Sequence, residues 1–234
     1  MAGRLLVDVG NTRTKLAVSA PQGPVLQDSW DTGATPRIPR GFDELRVVSV
    51  VCREEDLIFA AAAAAGCARR FVLGQSLKCG LTLAYDSLAT LGMDRVAAAE
   101  AAQRMSSGPV LVLSAGTALT LDAVDESGIF RGGLIAPGRR ALAAGLASAA
   151  PALPRGEAGA DFPARTSASC VGLGLDSAFA GLVHEALRRA RTALPGASLW
   201  ITGGDAEAVA ELIGNAARVD PLLVLRGLEF AHEV

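Results

Sequence analysis

One pattern, met twice, constrains this chain more than anything else in it. The first copy is Leu5-Leu-Val-Asp-Val-Gly-Asn-Thr-Arg-Thr-Lys-Leu-Ala-Val18, and the second is Leu111-Val-Leu-Ser-Ala-Gly-Thr-Ala-Leu-Thr-Leu-Asp-Ala-Val124. An offset of 106 residues carries Leu5 onto Leu111, Gly10 onto Gly116, Thr14 onto Thr120, Ala17 onto Ala123 and Val18 onto Val124. Each copy is an apolar run, a Gly-centred polar turn and a second alternating run. That is the signature of a β-hairpin whose turn backbone stays open to a ligand. Two such hairpins predict a duplicated domain with both turns facing one cleft. Gly- and Thr-rich turns offer N–H groups and hydroxyls suited to phosphate. Asp8 adds a carboxylate suited to the metal ion that travels with a nucleotide.

At 234 residues the chain has length for one large domain or two small ones. Half of it is hydrophobic, so a packed core is expected. The net charge of −2 comes with no basic run and no aromatic-interleaved patch, which argues against nucleic-acid binding. Cys52, Cys67, Cys79 and Cys170 show no CxxC spacing, and His184 and His232 are the only histidines. Zinc ligation is therefore not indicated, and buried, reduced thiols are expected. The first residues lack the pattern of a signal region, and the Ala-rich run 57–66 is too short to span a bilayer. A soluble, cytoplasmic protein without a membrane partner is the expectation.

The order of elements predicts two α/β halves, residues 1–105 and 106–234. Residues 4–20 read as the first hairpin, and 21–45 as a loop or short irregular strand. The β-branched run 45–51 reads as a strand buried on both faces, 54–68 as a helix and 70–73 as a strand, an order that implies parallel pairing. Residues 95–105 form an Ala-rich helix ended by Ser-Ser-Gly-Pro109. After the second hairpin come a strand at 129–135, a helix at 138–150, a Pro- and Gly-rich loop at 151–165, a long helix at 167–194, a strand at 198–202 and a helix at 205–215 with Asp205 as its N-cap.

Several residues carry two readings. Asp8 ends an apolar strand: it either accepts turn hydrogen bonds or orders Mg²⁺ beside ATP phosphates. Lys15, one of two lysines, either reaches phosphate oxygens or lies on a solvated face. Asp94 in Gly92-Met93-Asp94-Arg95 either caps a helix, worth about 1 kcal/mol, or deprotonates a substrate alcohol beside Arg95 as an anion clamp. Tyr85, the only tyrosine, reads as half-buried packing. Thr202-Gly203-Gly204-Asp205 after a strand is either an ordinary turn or a third phosphate contact. Gly132 and Gly133, with Pro137 and Gly138, read first as devices for close backbone approach and a sharp turn.

Taken in order, these motifs resemble the type III pantothenate kinases, also called the Bvg accessory factor family. Asp8 to Lys15 fits Asp-x-Gly-Asn-(Thr/Ser)-x-x-Lys at every position. Tyr85 stands seven residues before Gly92, which opens Gly-x-Asp-Arg with Asp94 and Arg95. Gly116, Thr117, Ala118, Thr120 and Asp122 fit Gly-Thr-Ala-x-Thr-x-Asp. Gly132, Gly133, Ile135, Pro137 and Gly138 fit Gly-Gly-x-Ile-x-Pro-Gly; Thr202 to Gly204 and the Val224–Leu228 segment follow. The resemblance implies the duplicated ribonuclease H/actin-like (ASKHA) fold, two lobes with a central cleft. It implies ATP-dependent phosphorylation of pantothenate to 4′-phosphopantothenate, which opens coenzyme A synthesis. It places Asp8, Val9, Gly10, Asn11, Thr12, Arg13, Thr14, Lys15 and Thr117 on ATP and its phosphates, with Asp8 holding Mg²⁺ through ATP. It makes Asp94 the general base and puts Tyr85, Gly92, Met93, Arg95 and Ser167 around pantothenate, with Thr166 the rival to Ser167. It implies a homodimer and a monovalent cation, K⁺ or NH₄⁺.

Three departures stand out. Ser114 replaces the Asp that most of the family carries two residues before the second motif's Gly, which leaves a neutral oxygen at the expected cation site. Leu88 replaces the usual Pro between Tyr85 and Gly92. The chain is also short for the family. Besides an active kinase, two readings stay open: a non-catalytic nucleotide- or pantothenate-binding regulator of the same fold, and a sugar or acyl kinase.

Overall fold

The computed structural model describes residues 3–214 and 216–234, the Cys52 side chain excepted. Met1, the helix end expected at Asn215 and the Cys52 thiol lie outside the described residues. The elements run β1 (Gly3–Val9), β2 (Arg13–Val18), β3 (Val25–Asp31), β4 (Phe42–Ser49), α1 (Cys52–Ala64), β5 (Arg69–Val72), β6 (Leu77–Lys78), β7 (Thr82–Leu83), α2 (Met93–Arg104), β8 (Val110–Ala115), β9 (Ala118–Val124) and β10 (Ile129–Pro137). They continue with α3 (Arg139–Ala149), α4 (Ser167–Ala193), β11 (Ser198–Thr202), α5 (Ala206–Leu212), β12 (Arg218–Val219), α6 (Leu223–Phe230) and β13 (His232–Glu233). Two compact units result. Of the described residues, those up to 110 together with 124–132 and 222–234 form one, and those in 111–123 and 133–221 form the other. Segments 124–132 and 222–234, which the sequence division leaves in the second half, thus belong by compactness to the first unit.

In the first unit the sheet order is β3-β2-β1-β4-β5. β2 runs antiparallel to both β1 and β3, while β4 runs parallel to both β1 and β5. Alternation along β1 decides which side each residue serves. Leu5, Val7 and Val9 pack with Ile58 and Ala62 of α1. Leu6 packs with Ala17, Val48, Ala97 of α2 and Leu225 and Leu228 of α6. Asp8 follows Leu6 on that second side, and its cross-strand partner is Lys15. Helix α6 lies directly on α2: a Cβ on Gly227 would stand 1.8 Å from the Ala97 carbonyl oxygen. Buried Arg46 donates to the carbonyls of Leu228, Glu229 and Ala231, satisfying orphan acceptors at the end of α6. Burial opposes the charge of Glu44, but hydrogen bonds from Arg46 and Arg4 outweigh it and hold this carboxyl below its usual range. The expected irregular stretch 21–45 contains β3 and the start of β4. The run at 45–51 leaves the sheet at Ser49, since Val51 precedes α1.

In the second unit the strands lie in the order β12-β11-β8-β9-β10. Leu111, Leu113, Leu119, Leu121 and Ile201 from the sheet pack with Phe179, Val183, Ala186 and Leu187 of α4 and with Val209 of α5. By length and composition α4 is the described helix that passes as a membrane span, yet this side of it lies in the unit's core. The three cysteines with described side chains are free: Cys67 is buried, Cys79 half-buried and Cys170 exposed, the last contrary to the sequence expectation. Burial pushes the Cys79 thiol up to about 12, so it is no nucleophile near neutrality.

Candidate active site

The first hairpin turn is built as its residues require. Gly10 N–H donates to the Arg13 carbonyl at 3.1 Å, closing the turn between β1 and β2. Val9 is buried in the core, so only its backbone is offered to a ligand. Asn11 is exposed and Thr12 half-buried, while Thr14 is buried beneath them. The Arg13 guanidinium turns sideways onto β3, donating to Asp31 Oδ1 at 2.9 Å and Ser29 Oγ at 2.9 Å. The carboxyl of Asp8 is pushed up to about 7. Burial is the main cause, Lys15 opposes it and the charge of Asp94 adds to it. Asp8, Lys15 and Asp94 therefore share one electrostatic neighbourhood in the first unit.

Asp94 stands in the first turn of α2, but the N-cap is Gly92, so Asp94 is not the capping residue. Burial raises its carboxyl, against backbone N–H groups of Arg95 and Asp94 itself and the Arg95 charge. Gly92 leaves room for it: a Cβ there would stand 2.5 Å from Asp94 Oδ1. Met93 is half-buried against the α2–α6 cluster. Arg95 is buried at 7 % exposure, its guanidinium 5.9 Å from the Tyr85 ring centroid and 6.0 Å from that of Phe130. Tyr85 and Phe130 are tilted neighbours with centroids 6.3 Å apart. Phe130 had no signal of its own in the sequence. It is reached because β7 pairs in parallel with Ile129 and Phe130, and Ala84 N–H donates to the Phe130 carbonyl at 3.0 Å. Gly132, at φ +78°, completes this cage: a Cβ would stand 3.2 Å from Tyr85 Cε2.

The second unit carries the other candidates. Its hairpin turn, Gly116-Thr117, exposes the Thr117 side chain. Gly138 N–H donates to the Thr117 carbonyl at 3.1 Å, and a Cβ on Gly138 would lie 2.0 Å from the Gly116 oxygen. Gly203, at φ +99°, passes as closely beneath the same turn, its would-be Cβ 2.2 Å from the Ala115 oxygen. Thr202 is buried, and Asp205 sits at the N-cap of α5 without a side-chain capping bond. Ser114 is half-buried near the end of β8. Thr120 Oγ1 donates to the buried Asp122 carboxylate at 3.4 Å. Thr166 caps α4, accepting from Ser169 N–H at 3.1 Å, and Ser167 is the first residue of that helix.

Among the described residues no cluster of three His, Cys, Asp or Glu side chains stands ready to hold a metal alone. A carboxylate that supplements phosphate oxygens suits Mg²⁺ instead, and Asp8 fits: its charged form is disfavoured by burial and by Asp94, so a cation there relieves it.

The fold and these turns define the class first: an α/β protein of the duplicated ribonuclease H/actin-like (ASKHA) type, the architecture of many small-molecule kinases. The structure is similar to a conserved Baf-family protein from Campylobacter jejuni, with a TM-score of 0.62, 19% identity and coverage of 96% of this chain and 95% of that one. It is similar also to a ROK family glucokinase from Streptomyces griseus solved with glucose and AMPPNP, with a TM-score of 0.53, 16% identity and coverage of 97% and 98%. The model of the type III pantothenate kinase family matches residues 4–189. The type III pantothenate kinase of Aromatoleum aromaticum is 34% identical over 232 residues, covering 96% of this chain and 95% of that protein. This chain belongs to the type III pantothenate kinase family.

Proposed function

We propose that this chain transfers the γ-phosphoryl group of ATP to the primary hydroxyl of pantothenate, giving 4′-phosphopantothenate and ADP as the first step of coenzyme A synthesis. The observation that carries this reading is the grouping of Asp8, Lys15 and Asp94 at one end of the first unit's sheet, where the carboxyl of Asp8 responds to both partners.

Phosphoryl transfer asks for alignment and for neutralisation of phosphate charge more than for covalent chemistry. The open backbone of Gly10 to Arg13 and the half-buried Thr12 cradle phosphate oxygens, and Lys15 supplies a point charge. Asp8 would hold Mg²⁺ through ATP, and that ion would supply neutralisation of charge on the phosphate oxygens. The pantothenate hydroxyl oxygen bonds to the γ-phosphorus, the bond from that phosphorus to the bridging oxygen breaks, and the hydroxyl proton passes to Asp94. Arg95, fixed against Tyr85 and Phe130, pairs with the substrate carboxylate, and Gly92 and Met93 shape the wall beside it. In the second unit the exposed, glycine-braced Thr117 turn supports its assignment to phosphate. Ser167 and the monovalent-cation role of Ser114 rest on the family resemblance.

The enzyme acts as a homodimer in the cytoplasm. Supporting a dimer is an apolar groove of about 770 Å³ along α3 and α4, lined by Leu142, Leu146, Val171 and Leu175 among others. Light scattering on the purified protein reads the stoichiometry.

A coupled assay with pantothenate, ATP and Mg²⁺, at varied NH₄⁺ and K⁺, tests the activity. Formation of 4′-phosphopantothenate is the expected result. Turnover of a sugar with no turnover of pantothenate at any salt concentration overturns it.

A further inference from the structure

We infer that Thr32, just beyond β3 and outside every motif described above, is a positioning residue that aims the first hairpin turn at its phosphate. The inference rests on the phosphate role proposed for that turn.

Thr32 meets the turn at three points. Its Oγ1 donates to the Gly10 carbonyl at 2.8 Å. Its N–H donates to the Thr12 carbonyl at 3.0 Å. Its Oγ1 also pairs with Thr14 Oγ1 at 3.1 Å. A hydroxyl has one proton. That of Thr32 goes to Gly10, so Thr14 donates to Thr32, and the buried Thr14 hydroxyl is satisfied in turn.

The consequence for a ligand follows from peptide geometry. A trans peptide is planar, with its C=O and N–H pointing opposite ways. Fixing the carbonyls of Gly10 and Thr12 toward Thr32 therefore turns the N–H groups of Asn11 and Arg13 away from it. Those are the donors a phosphate cradle needs, and without the clamp the glycine-containing turn has many alternatives to this orientation. Arg13 strengthens the same attachment by reaching Ser29 and Asp31 on β3. The clamp is local to the turn, so its loss reads out as nucleotide affinity and leaves pantothenate binding alone.

The test compares Thr32→Val, Thr32→Ala, Thr32→Ser and Lys15→Ala in the full-length protein. Calorimetry with Mg²⁺–AMPPNP reads nucleotide affinity, steady-state kinetics reads each KM and kcat, and thermal melting reads stability. Loss of a hydrogen bond that leaves a carbonyl unpaired predicts about tenfold weaker nucleotide binding and a similar rise in KM for ATP in Thr32→Val and Thr32→Ala. The KM for pantothenate stays within about twofold. Thr32→Ser, which keeps the hydroxyl, restores nucleotide affinity. The inference is overturned if the Val and Ala variants bind nucleotide normally, if they lose only melting temperature, or if Ser is as impaired as Val. Normal affinity in those two variants with weakened binding in Lys15→Ala sinks the clamp and spares the phosphate reading. Normal affinity in all of them sinks both.

Discussion

Asp8 on β1 and Asp94 in the first turn of α2 are electrostatic neighbours. Burial lifts the Asp8 carboxyl, Lys15 opposes the lift, and the charge of Asp94 adds to it, bringing Asp8 to about 7. Two acids in one neighbourhood then divide the labour. In the proposed mechanism one would meet a cation and the other would receive a proton, and the environment that keeps Asp8 from ionising freely is what a metal-bearing phosphate would relieve.

The pH dependence follows from that lift. Between about 3.8 and about 7 the folded protein holds a proton on Asp8 that the unfolded chain has released. The contribution to stability is complete below about 3.8 and is lost as pH rises toward 7. Asp8→Asn is expected to flatten this part of the ligand-free stability curve, measured by urea unfolding from pH 4 to 8. In the wild type, kcat/KM for ATP rises with pH and levels off above about 7 as Asp8 ionises to meet Mg²⁺. A profile flat from pH 5.5 to 8 would remove Asp8 from the nucleotide site.

Asp94→Ala is expected to lower kcat by about 10²–10⁴. Folding is left intact, because Gly92, and not Asp94, occupies the N-cap, and even a lost cap costs only about 1 kcal/mol. Rapid-quench turnover and thermal melting separate the two effects. Near-normal turnover would end the general-base assignment.

Gly92→Ala moves the same carboxylate without removing it. The new methyl stands 2.5 Å from Asp94 Oδ1, the free end of a side chain, so the carboxylate swings aside and the backbone stays. The expected signature is a fall in kcat of about tenfold or more, with melting close to wild type and nucleotide affinity unchanged. A variant that instead unfolds would show that Gly92 serves the helix start and not the acid.

Much of this was legible in the chain. The turn motif singled out Asp8 and Lys15; that Asp8 lies on the side of β1 opposite Val7 and Val9, the side where Leu6 meets Ala97 of α2, is read from the packing. What stayed hidden depends on distant parts of the sequence meeting. Phe130 joins Arg95 and Tyr85 because β7 pairs with the start of β10, a contact no local period announces. The return of α6 to the first unit rests on Gly227 fitting against Ala97, a glycine that by itself reads as an ordinary break. β3 was obscured by its exposure: with both faces partly open, it lacks the apolar alternation that marks β1 and β4. Thr32 carries no local signal, since its partners lie about twenty residues upstream.

Gly138→Ala tests the second turn. Its methyl would lie 2.0 Å from the Gly116 carbonyl oxygen and 2.8 Å from that of Thr117. Both are backbone atoms in a closed turn, so neither can yield as a side-chain tip does. The 3.1 Å bond from Gly138 N–H to Thr117 is lost as the segments part. The expected cost is about 1–3 kcal/mol in urea unfolding, the range for forcing a methyl into a packed site. It is accompanied by a raised KM for ATP if Thr117 contacts phosphate. Gly181→Ala is the matched control: the same methyl on an α4 glycine meets nothing within 4 Å, and replacing a helical glycine there should stabilise by about 0.5–1 kcal/mol. Opposite signs from one substitution at two glycines would tie the cost to the contact with the turn. Equal effects would mean that the turn yields and that Gly138 does not hold it.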